Sequence, residues 1–454
     1  MIALALFGTF FVLLLIGVPV AFALGGSAVV SLLAMGGLDE LSLVPNVFMA
    51  SVSSETLLAI PFFILAGVIM EYAGISRRLV DFAQACVGGR KHGLAIVVIV
   101  AAFFFSAISG SGPATVAAVG SILIPALVRQ GYEARHATSL TASAGSMGII
   151  VPPSIAFIVF AVVVSDYAGV SIVRLFVAGI VPGVLLAVAL VLACLTLPRR
   201  VPALAASGPG TARTSTPVRR ADDEGDPAPD RRSTGRFAGT LGRAIPGLLV
   251  PVLILGGIYG GVVTPTESAV VAAAYALLVG LFVYREIKPK QLYQVLVTAS
   301  AQSAVVMLIV GAASVFGYVV TVNDLAAKAA GALLGLTDSP VLIMLLAVVL
   351  LLVVGAFIDA VSALYLFVPI VAPVLLEVGV DVTTIGVMMV VNLALGLITP
   401  PVGINLFVAA GIAKVPLAEV VRGIRPFFLA GLAVVLLVAY VPALSNWLPD
   451  LLGF

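Results

Sequence analysis

The chain has 454 residues, of which 62% are hydrophobic and 10% charged, and its formal net charge is +2. Soluble domains carry about 25% charged residues, so this composition excludes a soluble globular protein and specifies an all-α polytopic protein of the lipid bilayer. The small net charge argues against nucleic acid as a partner. Two cysteines (Cys86, Cys194) and two histidines (His92, His136), with no Cys/His cluster, argue against a transition-metal site; the cysteines are expected to be free thiols.

A helical span needs about 20 apolar residues. Residues 2–36 are apolar, interrupted by Gly17-Val18-Pro19 and Gly25-Gly26. They read as two short spans, with one long tilted span as the competing reading. No basic segment precedes them, which marks a first span and not a cleaved signal. Residues 36–55 carry Asp39, Glu40 and Glu55 without a basic residue. Residues 57–72 read as a span, and 75–86 as an amphipathic interfacial helix bearing Arg77 and Arg78. Residues 94–128 are too long for one span and too short for two, and Ser109-Gly-Ser-Gly-Pro-Ala-Thr115 stands at their centre. This predicts a re-entrant helical hairpin with a polar tip near mid-membrane. A transmembrane segment over 137–164 is broken at Gly148-Ile-Ile-Val-Pro-Pro-Ser154, and a span over 172–197 stops at Arg199-Arg200.

Residues 199–244 turn rich in Pro, Gly, Ser, Thr, Arg and Asp and lose all hydrophobic period. They read as a polar cytoplasmic linker between a first half, 1–198, and a second half, 245–454. A docking role is the alternative to a plain tether. The second half repeats the plan. Spans cover 244–263, 269–284 and 296–321, a hairpin covers 341–376 with its tip around Asp359, a broken helix covers 383–413, and a last span covers 427–441. The second break is Gly396-Leu-Ile-Thr-Pro-Pro-Val402.

Each break puts a Pro-Pro pair in the middle of an apolar span. Proline removes a backbone donor and clashes with the carbonyl four residues earlier, and lipid cannot satisfy the freed carbonyls. A kink repaired by neighbouring helices explains one such break; two at matching positions point to a transport site. Shifting the first half by 248 positions superposes Pro125 on Pro373, Gly131 on Gly379, Gly148 on Gly396 and both Pro-Pro pairs, and sets Ser111 against Asp359. These Pro and Gly matches are read as marks of helix ends.

With the N-terminus outside, 21 of the 23 Lys and Arg fall on the cytoplasmic side, leaving only Arg174 and Lys328 outside. Five spans and one hairpin per half is an odd number of crossings, so the halves are expected to be inverted repeats.

A hairpin tip facing a broken helix gathers helix ends. N-terminal ends suit a carboxylate, and free carbonyls suit a small cation. One candidate Na+ cage is built from Ser109, Ser111, Thr115 and the carbonyls around Pro152 and Ser154. The other is built from Asp359, Ser362, Thr399 and the carbonyls around Pro400. Asp359 is costly in a membrane without a partner, with a helix cap as the alternative. Asn405 either binds substrate, with Ser109, Ser111 and Thr115, or locks its break. Glu267, after Thr264-Pro-Thr, reads as a helix cap. An intramembrane hydrolase using Ser109 or Ser111 lacks a neighbouring base, no P-loop is present, and a channel fits poorly with a hairpin-rich design.

Taken together, Ser109–Thr115, Gly148–Ser154, Thr264–Glu267 and Ile398-Thr-Pro-Pro-Val-Gly-Ile-Asn405 resemble the large permease subunit of a tripartite ATP-independent periplasmic (TRAP) transporter, of the C4-dicarboxylate or sialic-acid type. The resemblance covers nearly the whole chain apart from the linker. It implies a multi-pass protein of a prokaryotic inner membrane that imports small organic acids, with Na+ as coupling ion, by an elevator motion. It also implies two partners: a small four-helix membrane subunit, expected as a separate chain, and an extracytoplasmic solute-binding protein. The alternative within transport is a stand-alone Na+/divalent-anion symporter.

Overall fold

The structure, a computed structural model, describes residues 2–87, 92–197, 234–325, 327, 328, 331, 335 and 339–454. Most of the described residues are helical, with no strand among them. In chain order the helices are α1 (Ile2–Leu15), α2 (Val20–Gly36), α3 (Leu43–Val52), α4 (Ala59–Tyr72), α5 (Ile75–Val87), α6 (Gly93–Ser109), α7 (Gly112–Arg129), α8 (Ala134–Gly145), α9 (Ile155–Val164) and α10 (Ile172–Leu195). Then follow α11 (Thr234–Tyr259), α12 (Pro265–Leu278), α13 (Pro289–Val322), α14 (Pro340–Gly355), α15 (Ala360–Glu377), α16 (Val382–Gly396), α17 (Ile404–Ala413), α18 (Leu417–Gly423), α19 (Arg425–Tyr440) and α20 (Ala443–Leu452). Among the described residues eight helices are long and apolar enough to cross a bilayer, or up to ten if each of two bent pairs counts as one span.

Residues 2–36 form two helices, parted where Gly17 takes a positive φ before Pro19. The expected hairpins are present as α6–α7 and α14–α15, and the expected broken helices as α8–α9 and α16–α17. The repeat is visible at corresponding helix ends. Gly131 and Gly379 both end a helix at positive φ, 91° and 84°, a conformation glycine adopts without Cβ strain. Two residues later Glu133 and Asp381 each stand at the N-cap of the next helix.

Several boundaries depart from expectation. Up to residue 233 the expected linker lies outside the described residues, and its last part, from Thr234, belongs to α11. Pro125 and Pro373 lie inside α7 and α15 and do not mark helix ends. The acidic segment 36–55 contains α3, which docks on α13 through a Ser51–Ser314 hydroxyl pair at 2.6 Å and through Phe48 against Gly311. α13 has 34 residues, about 51 Å of helix, longer than a bilayer core. Beyond the last predicted span, α20 turns 63° away from α19.

Two groups of helices result. α1–α5 and α11–α13 pack mainly on one another, α12 along α4 and α13 along α2, α3 and α4. The hairpins, the broken helices and α10, α19 and α20 form the second group. The groups meet where α13 lies against α15 and where α4 and α5 lie against α6.

Candidate functional site

At the first hairpin tip, α6 ends on Gly110 in the left-handed region (φ 59°), and Ser111 leads into α7. The Ser109 and Thr115 hydroxyls bond each other at 2.9 Å, and the Thr115 hydroxyl donates to the Ser111 carbonyl at 2.9 Å. Among the described residues the Ser111 hydroxyl has no such partner. The tip rests directly on the first break. A Cβ on Gly148 would stand 2.6 Å from the Ser111 carbonyl carbon and 2.8 Å from the Gly112 nitrogen. A Cβ on Gly110 would stand 3.3 Å from the Pro153 carbonyl oxygen. In the break itself the Ser154 hydroxyl donates to the Ile149 carbonyl at 2.5 Å.

The second tip repeats this with different chemistry. Asp359 caps α15: one carboxylate oxygen accepts from the Ser362 nitrogen at 3.1 Å and the other from the Ser362 hydroxyl at 2.5 Å. A Cβ on Gly396 would stand 2.7 Å from Gly355 backbone atoms, and the Gly403 nitrogen donates to the Ala356 carbonyl at 3.3 Å. Thr399 donates from its hydroxyl to the Leu395 carbonyl at 2.8 Å. Both Pro-Pro bonds, 152–153 and 400–401, are cis. The breaks differ in burial: Pro152, Pro153 and Ser154 are buried, whereas Pro400 and Pro401 are exposed.

The first tip therefore meets its break at Gly110 on Pro153 and Ser111 on Gly148, and the second meets its break at Gly355 on Gly396 and Ala356 on Gly403, with Ser109 and Thr115 flanking the first contact and Asp359 and Ser362 following the second in sequence. Asn405 joins the first of these groups. Fully buried, it donates from Nδ2 to the Ala142 carbonyl in α8 at 3.2 Å. It lies against Gly112, whose Cβ would stand 3.1 Å from Oδ1. That Oδ1 has no hydrogen-bond partner in the structure. The halves are thus interlocked, with α7 packed on α17 and α15 on α9. Glu267 forms a full capping box with Thr264 at the start of α12.

One cluster escaped the sequence reading. Arg174, at the start of α10, donates to the Thr383 hydroxyl at 2.9 Å, to Asn446 Oδ1 at 3.1 Å, to Asp450 at 2.7 Å and to the Phe454 carbonyl. Asn446 in turn donates to Asp381 and to the Thr384 hydroxyl, both at 3.0 Å. The network fastens α20 over α10 and α16. Arg174→Gln is expected to cost about 2 kcal/mol, the scale of charge-assisted hydrogen bonds. It also releases α20, which holds Trp447, the only tryptophan in the chain. A lower Tm together with a shifted tryptophan emission is the expected readout; unchanged emission would show that α20 is held by other contacts.

Two re-entrant hairpins seated on two broken helices, all in one bundle, define a membrane carrier built from paired repeats. Residues 7–444 match the family described as the tripartite ATP-independent periplasmic transporter, DctM component, and the chain belongs to that family as a large permease subunit. It is 40% identical over 439 residues to an isethionate TRAP transporter permease protein of Oleidesulfovibrio alaskensis, covering 97% of this chain and 65% of that one; this chain thus spans about two thirds of that relative's length. It is 39% identical over 398 residues to a C4-dicarboxylate TRAP transporter large permease protein of Pseudomonas aeruginosa, covering 88% and 87%. The fold is similar to the YdaH transporter of Alcanivorax borkumensis, with a TM-score of 0.59 at 18% identity, covering 92% of this chain and 90% of that one. These relatives are transporters and permeases, and the chain is not an enzyme.

Proposed function

We propose that this chain is the membrane pathway of a Na+-coupled importer of small organic acid anions. An extracytoplasmic binding protein delivers the substrate, and a small membrane subunit accompanies the chain. The observation that carries the reading is the seating of each hairpin tip on a helix break, Ser111 on Gly148 and Gly355 on Gly396. Each junction collects hydroxyl and carbonyl oxygens, the ligands Na+ takes, and the second adds the Asp359 carboxylate. In this reading the hairpins and broken helices move as one body past the α1–α5 and α11–α13 frame, an elevator motion. The N-terminus lies outside and the Arg-rich segments lie in the cytoplasm of a prokaryote.

Substrate choice is set by the chemistry the relatives' names share. Isethionate and C4-dicarboxylates are small anions whose charged groups suit helix N-termini and unpaired donors. The test is uptake of labelled carboxylates and sulfonates into proteoliposomes that hold this chain with its small subunit. It is run with and without an inward Na+ gradient, and with and without the cognate binding protein. Uptake that requires both is expected. Uptake that needs Na+ alone identifies a stand-alone symporter, and uptake indifferent to Na+ removes the coupling ion.

A further inference from the structure

The turn between α4 and α5 meets α11 around Arg243 and Gly247 and the segment that follows α12 at one corner of the frame. The Arg78 guanidinium stands 3.8 Å above the Tyr284 ring and pairs with Glu286 at 2.6 Å. It also donates to the Ala73 and Gly74 carbonyls at 3.3 and 3.0 Å. The Tyr284 hydroxyl donates to the Arg243 carbonyl at 2.7 Å. These bonds draw together the segments that carry Arg77, Arg243 and Arg285, and Arg285 Nε donates to the Phe282 carbonyl at 3.4 Å. Arg77, Arg78 and Arg243 are all near enough to act on the Asp81 carboxylate, and Lys288 and Lys290 follow in the same loop. Of the two carboxylates present, Glu286 is engaged by Arg78 and Asp81 faces Arg77, Arg78 and Arg243, which leaves the six cations of the corner with a net positive charge. The five other than Arg78 are exposed. Nearby in sequence, α11 exposes Ile245 and Leu249, and the end of α12 with the turn after it exposes Leu278, Phe282 and Val283.

An exposed ring of cations bordering an apolar wall recognises an anion with hydrocarbon attached. We propose that this corner binds an anionic phospholipid, its phosphate held by Arg77, Arg243 and Arg285 and its acyl chains laid along α11 and α12. Arginine forks suit phosphate geometry, and basic clusters at helix ends select anionic headgroups. Topology alone places scattered cations on one membrane side. It does not require three cation-bearing segments to be tied together by an arginine, a tyrosine and a glutamate. Bound there, the lipid braces the frame against which the proposed elevator motion works. The binding test is independent of transport, so failure of either reading is told from failure of the other.

The full chain, purified from membranes, is titrated with phosphatidylglycerol or phosphatidylcholine and read by native mass spectrometry. One phosphatidylglycerol is expected to be retained in preference to phosphatidylcholine. Near a membrane surface each cation contributes roughly fivefold in affinity. The triple variant Arg77→Gln/Arg243→Gln/Arg285→Gln is therefore expected to bind on the order of 100-fold more weakly. Lys414→Gln/Arg425→Gln, which removes exposed cations of the other helix group, is expected to bind as wild type. If the triple variant does not insert, Lys288→Gln/Lys290→Gln is read in its place, with an expected loss of roughly 25-fold. Equal loss in the control variant, no preference for the anionic lipid, or displacement by inorganic phosphate alone overturns the assignment. A polypeptide found occupying the corner in place of lipid overturns it as well.

Discussion

Gly148→Ala is expected to reduce uptake by about 100-fold or more while leaving the chain in the membrane. The added methyl would stand 2.6 Å from the Ser111 carbonyl carbon and 2.8 Å from the Gly112 nitrogen. Both are backbone atoms that no rotamer can move aside, so the tip must retreat from the break. A displacement near 1 Å at a reacting or binding centre costs on the order of 100-fold in rate. The overpacking itself costs about 1–3 kcal/mol. Gly396→Ala meets Gly355 backbone atoms at 2.7 Å and is expected to act alike. Gly8→Ala is the control: a Cβ there has open space, and in a helix alanine is the better former, so uptake and Tm should hold. Wild-type uptake by Gly148→Ala would show that the tip does not rest on the break in the working protein.

That effect connects to what the sequence made legible. Both Pro-Pro breaks and both hairpins were readable because they interrupt apolar runs at a common spacing, and an interruption needs no partner to be seen. Gly148 and Gly396 were matched as marks of helix ends. Their larger role, letting one backbone touch another, depends on the facing Ser111 and Gly355, which no local pattern announces. Pro125 and Pro373 show the opposite error: their correspondence is real, but they sit within helices and not at their ends. The Arg174 network was hidden because its partners lie far along the chain, at Thr383, Asn446 and Asp450. α20 was hidden because ten residues with a mixed polar and apolar face fall short of a span.

Asn405 illustrates the same limit. From its own segment it reads equally as a ligand or as a lock on its break. The structure places it across the halves, with its donor spent on Ala142 and its acceptor directed at the first hairpin tip without a partner. A buried acceptor left unsatisfied costs about 1–3 kcal/mol, so the site gains whatever donor or cation arrives there. This ties the second half's broken helix to the first half's tip. The two junctions are therefore expected to respond to each other, and not to act as independent sites.

Asp359→Asn separates the two roles that geometry allows to this residue. As an N-cap, Asp359 satisfies the Ser362 nitrogen and places negative charge at the start of α15. Asparagine caps nearly as well as aspartate, whereas alanine costs about 1 kcal/mol. As a Na+ ligand, the carboxylate contributes a charge that the amide lacks. The expected outcome is that Asp359→Asn keeps its Tm within a degree or two, yet needs about tenfold more Na+ for half-maximal uptake. That shift corresponds to about 1.4 kcal/mol of lost cation affinity. Asp359→Ala should show the same Na+ shift with a lower Tm added, because the cap is gone as well. Ser111→Ala, which removes the one tip hydroxyl with no partner, should weaken Na+-dependent uptake from the other junction without disturbing either cap. If Asp359→Asn transports with wild-type Na+ dependence, the carboxylate is a cap alone, and the cation site must be built from neutral oxygens at Thr399, Ser362 and the break carbonyls.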